Sequence, residues 1–69
     1  MADKVSMAKR RELRAAVRTA ALAMAKRDGV TETARLLGIN PRTIHWWKEG
    51  VWPSWPATLR HAPLLGVKP

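Results

Sequence analysis

Residues 40–48, NPRTIHWWK, hold a dense set of side chains suited to recognising a ligand rather than transforming it. Arg42 has a planar fork of donors that matches the O6/N7 pair of guanine. Asn40 and Thr43 can serve base edges or phosphate. His45 is read as a neutral donor, Lys48 as a point charge, and Trp46 as an indole body for a thymine methyl or for sugar-phosphate. His45 and Glu49 stand four residues apart and can form a local pair, but no nucleophile accompanies them. The chain also lacks paired carboxylates, a Gly-rich phosphate loop and a nucleophile triad, so it is not expected to be an enzyme. No cofactor, no metal and no small-molecule substrate is expected, because His45 and His61 are isolated and there are no cysteines.

The bulk charge points the same way. The chain has 69 residues, 13 Lys and Arg, 5 acids and a net charge of +8. Residues 1–27 hold eight of the basic residues against two acids. Such an excess suits a polyanion, nucleic acid before an anionic membrane. The apolar run AAVRTAALAMA is broken by Arg18 and preceded by KRRELR, so it serves neither as a membrane span nor as a secretory segment. The protein is therefore expected in the cytoplasm, associated with the nucleoid. One small domain over residues 1–69, with neither disulfide nor thiolate metal site to staple it, gains stability by pairing, so a homodimer is expected.

Helices must position these groups. No segment alternates with a period of two, and the predicted fold is all-α with about four helices. The first helix should span residues 7–27, capped by Ser6 and stopped at Gly29, with Leu13, Val17, Ala20 and Met24 as its apolar stripe. Arg10, Arg14 and Arg18 repeat every four residues on a flank of that stripe, either as a solvated face or as a track for phosphates; the charge excess favours phosphates. Leu22 lies off the stripe, as an exposed leucine or a contact between chains. Thr31 is expected to cap a second helix ending at Leu37, its hydroxyl and the free N–H groups available to a phosphate. Gly38 allows a tight break. Asn40 before Pro41 caps a third helix over residues 41–48, with Gly50 ending it. The prolines of VWPSWP make a rigid turn, Pro56 can open a short fourth helix, and Pro63 should end or kink it.

Small Ala34 lets the second and third helices cross closely, and Leu37, Ile39, Ile44 and Trp47 can meet in the angle between them. That is the spacing of a helix-turn-helix with its second helix presented outward. Residues 30–49 resemble the helix-turn-helix of phage regulators of the Cro and repressor class. The likeness extends to the lambda CII activator family, through Thr33-Ala34, Gly38, Ile44, Trp47-Lys48 and the VWP turn at 51–53. It implies a transcription regulator that binds double-stranded DNA through the third helix. Similarity to CII covers roughly residues 9–67, and the tail stops where that family continues into helix used for assembly. The fragment LGINPRTIHWWKEG also resembles the opening of MerR and excisionase domains, which would make the chain an architectural DNA-binding protein. Those domains place the motif near their start and follow it with a wing. A reading of a different class is a basic amphipathic module that binds membrane, or an antitoxin-like partner.

Adjacent helical residues point about 100° apart, so Trp46 and Trp47 are not expected to share one core. Trp47, three residues after Ile44, is expected inside. Trp46, four after Arg42, is expected outside on DNA, or else packed on Pro53 or the first helix. Trp52 and Trp55 are expected as core filling, with a stacking platform for single strands as the alternative. His61, beside Arg60, is expected at the surface.

Overall fold

Ser6 opens the first helix as its position suggests, its hydroxyl oxygen accepting from the Lys9 N–H at 3.1 Å. The structure, a computed structural model, describes residues 6–68. Residues 1–5 and 69 of the expected domain lie outside the described residues. The described residues form four α-helices, α1 Met7–Asp28, α2 Val30–Leu37, α3 Pro41–Glu49 and α4 Trp55–His61, followed by a 3-10 turn, Pro63–Leu65. The described residues are all-helical, with no strand.

Each of the other helices packs on α1. Its buried residues are Leu13, Val17 and Ala21, whereas Ala20 and Met24 of the expected stripe are only half-buried. The helices that cross α1 engage a ridge of residues four apart, and such a ridge runs 13–17–21 rather than along the alternating steps the pattern suggested. Across from it lie Ala34 and Leu37 of α2, Ile44 and Trp47 of α3, and Thr58, His61 and Ala62 near the end of α4, all buried. Leu22, Ile39 and Leu65 pack at the margin of the cluster formed by Ala21, Leu37 and Trp47.

The joint between α1 and α2 is a single residue. Gly29 sits at φ 102, where residues with a side chain are strained, and this lets α2 begin at Val30. Thr31 is therefore not the cap that was expected; it lies exposed in the first turn of α2, whose N-terminus has no side-chain cap. Thr33 is tied to the joint instead, its hydroxyl donating to the Gly29 carbonyl at 2.9 Å. At the other end Gly38 is left-handed (φ 68, ψ 34) and the Ile39 N–H reaches back to the Ala34 carbonyl at 3.0 Å. This closes α2 and folds Ile39 onto the core. Asn40 caps α3, its side-chain oxygen accepting from the Arg42 N–H at 2.8 Å, and Pro41 occupies the first turn.

Two expectations for the C-terminal third are overturned. Trp52 and Trp55 do not fill the core: Trp52 is 38% exposed and Trp55 half-buried, while Pro53 between them is fully buried. A proline-stiffened turn can direct only alternate residues inward, and here the ring of Pro53 takes the inner place. His61 is not at the surface. It is 1% exposed, with its ring 6.1 Å from that of Trp47. Helix α4 starts at Trp55, with Ser54 as its cap, and so turns the His61 side of the helix towards α3.

Neither ring nitrogen of His61 has a hydrogen-bond partner within the described residues. Burial, reinforced by neighbouring Arg60, holds its pKa below the ordinary histidine value. In the unfolded chain the imidazole titrates at about 6.5. Between that pH and the lower folded pKa the unfolded state binds more protons, so stability falls as the solution is acidified through this window. The slope is bounded by about 1.4 kcal/mol per pH unit. Urea midpoints at pH 7 and pH 5 are expected to show a loss for the parent and little change for His61→Leu; a parent midpoint that rises on acidification would contradict this.

Candidate nucleic-acid interface

Helix α3 separates its residues into two faces. Ile44 and Trp47 are buried, with Trp47 only 3% exposed. Opposite them, Arg42, His45, Trp46 and Glu49 are exposed, and Trp46 is 51% exposed. At about 100° per residue these four fall within one sector, centred on Arg42 and Glu49. Lys48 is exposed on the flank of this ridge, and Thr43 on the other flank is half-buried. Asn40 is exposed but its side-chain oxygen is held by the Arg42 N–H, which leaves the amide NH2 as its free donor. Trp46 thus has its ring in solvent and Trp47 in the core, as the 100° step requires. The adjacent tryptophans divide between core and surface.

The Arg10/Arg14/Arg18 row lies elsewhere than either expectation placed it. All three side chains are half-buried against the fold. The Nε–H of Arg14 donates to the Pro53 carbonyl at 2.8 Å, and that of Arg18 to the Trp47 carbonyl at 2.7 Å. The guanidinium of Arg14 stands 5.7 Å from the Trp52 ring centre, and that of Arg10 stands 5.1 Å from the ring centre of Trp55. The row is offset by three residues, about 60°, from the buried 13–17–21 ridge, so it necessarily flanks whatever packs there. The Trp47 carbonyl belongs to the last turn of α3, where it accepts from the backbone only a long bond from the capping Gly50 N–H at 3.3 Å and a cation is favourably placed. Arg14 and Arg18 therefore fasten the turn and α3 to α1. Each charge-assisted bond of this kind contributes about 1.5–3 kcal/mol, and the arginine–tryptophan contacts add about 0.5–1 kcal/mol each.

These contacts bear on the tryptophans too. Arg10 and Arg14 each stand over one face of the Trp55 and Trp52 rings, which leaves less of either ring for a stacked base. Of the other cations, Arg27 pairs with Asp28 at 3.1 Å and Arg35 with Glu32 at 3.3 Å. The sequence alone did not name the acceptors of the arginine clamp. A hint lay in the matching periods, since the arginines repeat every four residues beside a stripe and two prolines stiffen the segment that meets them.

In comparisons with known protein families, curated proteins and solved structures, the chain matches none. Among the described residues no helix is long and apolar enough to cross a membrane.

Proposed function

We propose that this chain is a sequence-specific double-stranded DNA-binding transcription regulator of phage or mobile-element type, with α3 as its recognition helix in the major groove. The observation that supports the reading is the ridge of α3. Arg42, His45 and Trp46 stand in solvent on a helix whose opposite side, Ile44 and Trp47, is anchored in the core. A rigid helix with exposed donors is what base-edge readout requires. The net charge of +8 supplies the attraction to a polyanion. Action as a homodimer at the nucleoid belongs to the same proposal, since one small domain reads too few base pairs to select a site.

The competing membrane reading depends on a free apolar face on α1. Leu13, Val17 and Ala21 are spent on the core, which favours DNA.

Selection of bound duplexes from a random pool, followed by comparison of Arg42→Ala with the parent, tests the proposal. Loss of the Arg42 fork is expected to relax preference at one base pair, at a cost of about 1–3 kcal/mol of discrimination. If Arg42→Ala weakens every duplex equally and keeps the parent's preference, α3 does not read bases through Arg42.

A further inference from the structure

With Arg10, Arg14 and Arg18 half-buried against the fold, most of the charge that meets a DNA backbone has to come from other residues. One place gathers it. A groove of about 430 Å3 runs between the end of α1, the start of α2 and the flank of α3. Leu22, Ala25 and Val30, all half-buried, form its apolar floor, and Lys26, His45 and Lys48, all exposed, stand at its rim. No acid lines it. Lys26 and Lys48 differ in this from Arg27 and Arg35, whose charges are met by Asp28 and Glu32.

The groove also adjoins the proposed recognition face. His45 belongs both to the exposed ridge of α3 and to the groove rim, so a strand whose bases meet Arg42 passes beside it. A nucleic-acid strand matches the lining: its phosphates suit flexible point charges, and the C–H edge of deoxyribose suits an apolar floor. A second copy of the chain offers this rim little acidic surface, since its 5 acids stand against 13 Lys and Arg and Asp28 and Glu32 are already paired.

We propose that Lys26 and Lys48, with His45, hold phosphates of one DNA strand whose sugar edge lies on the Leu22, Ala25 and Val30 floor. Resting on the DNA-binding reading above, the assignment gives Lys26, at the end of α1, the role that the sequence suggested for Arg10, Arg14 and Arg18.

The test is a salt titration of the full chain on its best selected duplex. It compares the parent with Lys26→Gln, Lys48→Gln and, as a control on the first turn of α1, Lys9→Gln. Lys26→Gln and Lys48→Gln are each expected to reduce the steepness of log K against log salt by about one, to weaken all duplexes by similar factors and to leave sequence preference intact. Lys9→Gln should keep the parent's slope. Parent-like slopes for either groove variant, in a parent that does bind duplex, overturn the groove assignment alone. A parent that binds no duplex at 50 mM salt, but binds vesicles of phosphatidylglycerol through Lys26 and Lys48, overturns the DNA-binding reading and the strand assignment together.

Discussion

Trp47→Ala is expected to leave the chain largely unfolded in the absence of DNA. The indole is 3% exposed and meets Ala21, Leu37 and the His61 ring in the centre of the molecule. Truncating a buried tryptophan to alanine costs about 3–5 kcal/mol, from lost burial and from the cavity left behind. A domain of 69 residues with no cysteine to form a disulfide has only about 3–5 kcal/mol of stability to lose. Trp46→Ala, one residue away, is expected to melt close to the parent and to bind DNA less tightly, because its ring is half in solvent and adds little to the core. Thermal melts followed by circular dichroism, with DNA affinity measured on the folded fraction, check both. A Trp46→Ala protein that unfolds while Trp47→Ala merely loses DNA would reverse the faces of α3.

The affinity for duplex is expected to fall roughly a thousandfold between 50 and 200 mM salt, for a chain that neutralises about six phosphates. Each neutralised phosphate releases condensed counterions, and that gain shrinks as the bulk salt concentration rises. The inward arginines sharpen this expectation. The Nε–H groups of Arg14 and Arg18 are engaged within the fold and Arg10 lies half-buried beside Trp55, so less of the row remains for phosphates, and the steep dependence has to be carried largely by exposed cations such as Lys26, Arg42 and Lys48. Affinity measured by fluorescence anisotropy across that range decides it; a nearly flat response on the best duplex would mean that the basic surface does not meet the backbone.

The local signals on this chain were legible as written. Ser6, the Asn40-Pro41 pair and Gly38 mark helix ends through bonds that reach two to five residues, and so the ends of α1 and α3 fall within one residue of their expected places. The division between Trp46 and Trp47 followed from the helical step alone. Thr31 failed as a cap because Gly29, in a conformation that glycine adopts without strain, needed no separate turn residue before α2. The sequence reading gave Gly29 only as the stop of α1, whereas the same residue also starts α2.

Which face of α1 the arginines join, which residue of VWPSWP goes inside and where His61 points were decided only in three dimensions. Arg14 meets a carbonyl 39 residues away and Arg18 one 29 residues away, and nothing in the spacing of either residue encodes its acceptor. An arginine reads as a surface charge until the fold places a helix-end or turn carbonyl beside it, and then its fork is held there. His61 likewise follows the rotation of α4, which is set by the docking of Pro53 and Ala62 rather than by its own neighbours. Periodicity determines which residues share a face. The packing of the other elements determines whether that face meets protein or solvent, because the free energy of burial depends on what lies opposite.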